Sequence, residues 1–434
     1  MSSRYTLCVN TVNNMNNTEL IKKGLAKRYR REKRFRAYGL MAVMVGFIFL
    51  AILLADIIGK AIPAFTQHWI KLEVSFDPDT LGIDEKSDEA TIRDANFNAA
   101  VKKSIRSLFP EVKKRKDKRK LAAMLSTSAE YQIRDQFLAD PEILGQTKTV
   151  WVLADDDVDT YYKTADKSKA VRLSDKQIAW ADKLLADGLV KKRLNTTLFK
   201  NGDSREPEQA GIRGAIKGSF YTLLVTFLLS FPLGVATAVY LEEFAPKNRW
   251  VDLIEVNINN LAAVPSIVFG LLGLAVFINY FGLPRSAPLV GGLVLTLMTL
   301  PTIIIASRSA IKAVPPSIKE AALGIGASKT QMVFQHVLPL AMPGIFTGTI
   351  IGLAQALGET APLLMIGMVA FIVDIPQGFT DSATVLPVQI YLWADSPERA
   401  FVARTSAAIL ALLVFLVVMN TLAVWLRKKF ERRW

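Results

Sequence analysis

Apolar residues fall into six runs, and one long polar interval separates the first run from the second. The runs cover about 37–62, 215–240, 256–281, 287–307, 340–373 and 404–426. A bilayer's hydrocarbon core, about 30 Å thick, is crossed by about 20 helical residues rising 1.5 Å each, and every run is long enough. The polar interval, 64–210, has the length of a domain. Within it the pattern predicts helices around 96–108, 119–138 and 176–193, and "KTVWVLA" (148–154) reads as a strand. The expectation is an all-α integral membrane chain of six transmembrane helices. A mixed α/β or mainly α domain is inserted between helices 1 and 2.

Composition and charge fix the orientation. Of the 434 residues, 51% are hydrophobic, and the net charge is +14. The polar interval holds 26 Lys/Arg against 25 Asp/Glu, so the basic surplus flanks the apolar runs. "KKGLAKRYRREKRFR" (22–36) and the terminal "RKKFERRW" place both ends inside by the positive-inside bias. Two inside ends require an even number of spans, and six satisfies that. The implied division is a basic, disordered cytoplasmic tail at 1–37, a first transmembrane helix at 38–62 and an extracytoplasmic domain at 64–210. A membrane block at 212–427 and a basic cytoplasmic tail at 428–434 follow. Nucleic acid is not an expected partner, because the charge serves topology. Within the polar interval, "KKRKDKRK" (113–120) reads as a solvated helix face, with an anion-gathering patch as the alternative.

Several chemistries are excluded by what the sequence holds. Cys8 has no second cysteine to pair with, and two histidines make no metal or haem cluster. The polar leader of nearly 40 residues before the first run argues against a cleaved signal peptide. There is no G-x-x-x-x-G-K-[ST] loop to cradle nucleotide phosphates and no nucleophile–base pair. No catalytic residue, metal or bound cofactor is expected of this chain.

Between the fourth and fifth runs lies "EAALGIGASKTQMVFQHVLP" (320–339), too polar to span a bilayer. Pro315 and Pro316 should end the preceding helix. Ser317 or Lys319 should precede a new helix, with Glu320 in its first turn where the dipole favours a carboxylate. Ala321, Ala322, Gly324, Gly326, Ala327 and Ser328 leave little side-chain bulk, so another backbone can approach closely. Gly324 and Gly326 allow the chain to turn, and Leu338-Pro339 marks the start of the next membrane helix. The stretch reads either as a short rigid knob for a cytoplasmic partner or as an ordinary connecting loop.

Inside the membrane block, Glu359 sits in an otherwise apolar run, where a charge costs roughly 2.5–3.5 kcal/mol on insertion scales. Glu359 and Thr360 are therefore candidates for a pathway or for an interface with another subunit, a structural acid being the alternative. An anionic cargo would need donors. Ser266 after Pro265, Thr299 and Thr302 around Pro301, and Arg308 are the candidates, with Arg308 also readable as an interface anchor.

The knob has a wider resemblance. Glu320-Ala321-Ala322, Gly326 and Leu338-Pro339 resemble the EAA loop of ABC-importer permeases, the coupling element that docks into a groove on the ATPase. "YLEEFAPKNRW" (240–250), "NNLAAVPSIVFGLLGLA" (259–275), "LPTIIIASRSAIKAVPPSIKEAALGIGASK" (300–329) and "ALGETAPLL" (356–364) together resemble the phosphate-importer permease family PstA. The likeness covers most of 212–427. It implies a type I ABC importer (MetI-like) permease fold with a coupling loop at 315–339, and it assigns coupling to Glu320, Ala321, Ala322, Gly326, Ala327, Leu338 and Pro339. It implies residence in the bacterial inner membrane and alternating access driven by a partner that binds ATP and Mg²⁺. The partners implied are a PstC-like permease, a PstB-like ATPase dimer, a PstS-like phosphate-binding protein and the lipid bilayer. This sequence departs from the family's pattern in the inserted 64–210 region, in the long N-terminal tail, in His336 for an aliphatic residue and in Gln355 for an arginine. The alternatives are a permease for another oxyanion (sulfate, phosphonate or molybdate) and a membrane-anchored phosphate sensor or scaffold.

Overall fold

The computed structural model describes residues 17–84, 87–164 and 172–430. Cys8 and the rest of 1–16, and positions 431–434 of the second basic tail, lie outside the described residues.

Helix α1 runs from Asn17 to Ala61, 45 residues. The basic stretch 22–36, expected as a disordered tail, is thus helical. Lys, Arg and Glu are good helix formers, and prolonging a helix already nucleated in the apolar run costs little. Glu32 and Arg36 add an i,i+4 pair at 2.5 Å. In the apolar half the large side chains are exposed, Phe47 at 62% and Phe49 at 69%, so lipid is the medium that suits them.

The polar interval folds as a three-stranded antiparallel sheet covered by helices. Strand β1 (Thr66–Ser75) lies between β2 (Thr147–Leu153) and β3 (Val190–Leu194). Trp69 faces Leu153 on one side, and Thr66 faces Leu194 on the other. Alternation along β1 buries Ile70, Leu72 and Val74. Against them pack α2 (Phe97–Ser107), α3 (Arg115–Ala122), α4 (Ala129–Ala139), α5 (Asp156–Lys163) and α6 (Asp175–Ala186), through side chains such as Ile105, Leu121, Phe137 and Trp180. The domain is mixed α/β.

Two of its expected helices are corrected. The one around 119–138 is two helices, because the Ser126 hydroxyl accepts from Ser128 N–H and Ser126 N–H bonds Leu153 C=O, which diverts the chain. The one around 176–193 stops at Ala186. Gly188, at φ +68°, reverses the chain so that 190–194 completes the sheet.

Beyond residue 212 the chain is helical: α7 (Arg213–Val239), α8 (Arg249–Ala262), α9 (Ser266–Gly273), α10 (Pro288–Lys312), α11 (Pro316–Gly324), α12 (Leu338–Gly358), α13 (Ala361–Met365), α14 (Leu386–Ala394) and α15 (Ala400–Phe430). Among the described residues five helices are long and apolar enough to cross a membrane, and the bent pair 249–262 and 266–280 makes up to six. The third expected span, 256–281, is therefore not straight: its two arms are bent by 101°. Pro265 lacks the N–H that would continue the helix, and it biases Val264 away from helical geometry. The fifth, 340–373, stops as a helix at Gly358.

Helix α10 packs on both α7 and α12 through residues without bulk. A Cβ on Gly292 would lie 2.5 Å from Val225, and one on Gly348 would lie 2.1 Å from the Ala306 Cβ. The α/β domain is tied to this block by polar contacts. Trp393 Nε1 donates to Asp203 at 2.9 Å, and buried Arg404 donates to the Ala210 carbonyl at 2.7 Å.

Candidate functional site

The segment between α10 and α12 is built on two prolines. Pro315 caps α11 and Pro316 occupies its first turn, where a missing N–H costs nothing. The helix consequently starts earlier than the sequence led us to expect, and Glu320 lies beyond the first turn. One face is anchored: Ala322 is 4% exposed, and it packs with Ile318 and Ala327 against Val239, Ile311, Val333 and Val337. The opposite side is open, with Glu320, Ala321, Leu323 and Gly324 exposed and Ile325 at 83%. Gly326 then takes φ +91°, a conformation that a side chain would strain. Ser328 and Gln331 form a reciprocal cap, Gln331 N–H to Ser328 Oγ at 3.2 Å and Ser328 N–H to Gln331 Oε1 at 2.9 Å.

The helix that follows begins at this cap and continues through a π-helical stretch, Met332–Val337, into α12. Leu338 and Pro339 are half-buried within that continuous rod, so they do not mark its start. The loosened turn falls just before Pro339, whose ring has no N–H to give to residue 335. The structure brings Glu320, Ala321, Ala322, Gly326 and Ala327 into one projection, and leaves Leu338 and Pro339 in the shaft beneath it.

A charge cluster that the sequence reading missed fixes this projection. At the end of α7 a π-helical turn, Tyr240–Phe244, presents Glu242 and Glu243. Glu243 receives Lys319 of α11 at 2.5 Å, and its side chain is only 7% exposed. Glu242 receives Arg308 at 2.5 Å and Lys312 at 3.3 Å, and Arg308 also reaches Glu255 of α8 at 2.5 Å. Lys329 lies 5.5 Å over the Phe244 ring. Two adjacent acids thus hold α10 and α11, and Arg308 ties in α8 through Glu255. The available signal was the doublet in "YLEEF" at the end of an apolar run, with unpaired basic residues after the next two runs.

The proposed pathway residues are not gathered in this way. Arg308 is already held by two carboxylates, which does not leave it free for an anion. Thr299 is buried and donates back to the Leu295 carbonyl of its own helix at 2.9 Å. Thr302 is half-buried, its methyl directed at Gly352. Glu359 is not inside a helix: it caps α12 in extended geometry (φ −74°, ψ 127°), and Thr360 precedes the short α13. Ser266 opens α9 after the Pro265 bend. A Cβ on Gly270 would lie 2.6 Å from Pro362, so the helix begun by Ser266 and the one headed by Thr360 run in close contact.

Acids of the α/β domain, Asp159 buried and Asp155 and Asp156 half-buried, form a second electrostatic centre. Asp155 is pushed up to about 8, first by burial and then by Asp156. Asp156 is pushed up to about 7, by burial and then by Asp157. Burial acts on Asp159 in the same direction, but the His68 hydrogen bond at 2.8 Å and the Lys163 charge outweigh it and hold that carboxyl low.

Comparison with known proteins gives two family matches. Residues 22–171 match "Domain of unknown function (DUF3333)", and residues 230–434 match "Binding-protein-dependent transport system inner membrane component". The probable ABC transporter permease protein YqgI of Bacillus subtilis is 40% identical over 155 residues, 36% of this chain and 52% of that protein. This chain thus spans about half of YqgI's length. The phosphate transport system permease protein PstA 1 of Mycobacterium tuberculosis is 33% identical over 229 residues, 52% of this chain and 74% of that protein. PstA of Haemophilus influenzae is 27% identical over 238 residues, 54% of this chain and 83% of its own. Among solved structures, a chain of the inward-facing MetNI methionine ABC transporter aligns with a TM-score of 0.41 at 18% identity, over 50% of this chain and 97% of that one.

Proposed function

This chain belongs to the PstA family of binding-protein-dependent transport permeases, a family of non-enzymatic inner-membrane components, and we propose that it is the permease subunit of an ATP-driven importer of inorganic phosphate. The observation that carries this reading is the projection at 316–327. Its rear is buried and ion-paired, its front is exposed, and its bulk is small. Such a shape transmits force: an ATPase that grips Glu320, Ala321, Leu323 and Ile325 moves α10 and α12 with it. Lys319–Glu243 and Arg308–Glu242 carry that movement to α7 and α8.

The partners follow from the family. A cytoplasmic ATPase of the PstB kind would hold the nucleotide and Mg²⁺, and a PstS-like protein would deliver phosphate. A PstC-like permease would supply the other half of the pathway. Helix α8 supports the last of these: none of its residues is buried, and it exposes Trp250 at 68% and Val256 at 54%. Both termini would face the cytoplasm and the α/β domain the opposite side. Closing and opening of the ATPase pair would shift the permeases between outward- and inward-facing states. Glu359 and Thr360, beside the helix begun by Ser266, are the pathway or interface residues we favour.

Labelled phosphate uptake at micromolar supply tests the proposal, in cells lacking this chain and in cells carrying it or its Glu320→Arg form. Loss on deletion, return with the native chain and failure of Glu320→Arg with normal membrane insertion are expected. Uptake indifferent to all three overturns the phosphate reading, and the same assay with sulfate, phosphonate and molybdate then identifies the oxyanion.

A further inference from the structure

The α/β domain contains a cleft of about 820 Å³ between α2 and α3. Helix α2 lines it with Lys102 and Arg106, one turn apart. The basic run lines it with Lys113, Arg115, Lys118 and Arg119. Positions 115, 118 and 119 share one helix face, so the run is not a uniformly solvated surface. Its single acid, Asp117, is turned away to Lys176 at 2.6 Å. Among the described residues the only acid on the cleft wall is Glu130, which already accepts from Asn98 at 2.5 Å.

Six cations therefore face one concavity, and none makes an ion pair among the described residues. The Arg106 Nε is buried with no hydrogen-bond partner. Like charges at this spacing repel, and a buried N–H without an acceptor costs free energy. The repulsion is relieved if an anion occupies the cleft.

We propose that this cleft is a binding site for a compact polyanion carrying several phosphate groups, of the oligophosphate class. A single orthophosphate neutralises too few of six cations. The volume falls in the range of small-molecule sites, about 300–1,000 Å³. Three arginines supply planar forks that match phosphate oxygens, and three lysines supply point charges. A concave wall favours such a ligand over the acidic face of a protein. The site also borders the route into the membrane block. Ser126 on its wall donates to Glu208 at 2.6 Å, and Thr127 accepts from Gln209 at 2.8 Å, both in the segment leading to α7.

The test is calorimetric titration of the full chain alone, in nanodiscs of zwitterionic lipid, with inorganic tripolyphosphate and with orthophosphate. Saturable tripolyphosphate binding, one per chain and about tenfold tighter than orthophosphate at about 0.1 M salt, is expected. Lys102→Gln with Arg119→Gln should weaken it by about tenfold or more, and Arg106→Lys by several-fold through loss of the fork. Lys191→Gln with Lys192→Gln, exposed on β3 outside the cleft, should leave it unchanged. Unaltered thermal unfolding of each variant establishes folding.

Absence of saturable binding overturns the proposal, as does equal loss in the β3 variant or equal affinity for orthophosphate. If tripolyphosphate fails to bind while Lys102→Gln with Arg119→Gln weakens capture of the substrate-binding protein, the cleft is a protein-docking face instead. Every readout is binding, so the result stands apart from the phosphate-import reading.

Discussion

The α/β domain and the membrane block hold themselves together by opposite means. In the domain, large side chains fill a core: Ile70, Leu72, Phe76, Phe109 and Leu121 are all essentially without exposure. In the block, α10 meets its neighbours where side chains are missing, at Gly292 and Gly348, while large apolar groups such as Leu228 and Val417 point outward. The difference follows from the solvent. Water drives bulk inward, whereas lipid is as apolar as leucine and gives bulk no reason to hide. Helices in lipid gain instead from close backbone approach.

The contrast is broken most severely by adding bulk where the block has none. Gly348→Leu, forced against Ala306, should abolish recovery of monodisperse protein from membranes, whereas Gly324→Ala, with open space around it, should be silent. A wild-type elution profile for Gly348→Leu would sink the close-packing account.

Removing bulk has the reverse logic. Leu72→Ala should cost the domain about 2–5 kcal/mol, read as earlier thermal unfolding and faster proteolysis within 66–210, with the membrane helices still protected. Equal sensitivity of both regions would mean that they unfold as one unit.

A smaller effect is expected where the two acids clasp the projection. Glu243→Gln leaves Lys319 without its carboxylate and should lower phosphate uptake several-fold while ATP hydrolysis by the assembled transporter continues. Glu243→Gln with Lys319→Gln should recover part of the lost thermal stability, because no charge is then stranded. Coupled hydrolysis and uptake in the single variant would remove the clasp from the mechanism.

The smallest effect is in pH. The folded pKa values of Asp155 and Asp156, about 8 and about 7, lie above the ordinary carboxylate value of 3.8. The folded domain therefore holds protons that the unfolded chain has released, and stability falls as pH rises from about 4 to about 8. Asp155→Asn should flatten the dependence of the domain's melting temperature between pH 6 and 8. An unchanged slope would show that the pair ionises freely.

How much of this was legible depended on range. Apolar length located the crossings, and small residues located the projection, because both are local properties. The 101° bend was written in Val264-Pro265, but uninterrupted apolarity on both sides concealed it. Strand β1 was missed although Ile70, Leu72 and Val74 alternate, since polar residues dilute the pattern around them. Arg308–Glu242 and Lys319–Glu243 join residues 66 and 76 positions apart, and no local window contains both members. The basic run showed its charge but not its orientation: only the fold against α2 turns 115, 118 and 119 to the same hollow as 102 and 106.

The helical rod that begins at Lys329 and ends at Gly358 is 30 residues, and so about 45 Å from foot to head. It is half as long again as the oily layer it crosses, about 30 Å. A spar that overshoots its wall is a lever. Tilting it by about 5° sweeps its far end through about 4 Å, more than the width of a water molecule. The head of that lever is the break at Glu359, and its foot stands beside Gly326, so a small tilt about the foot is a larger displacement at the head.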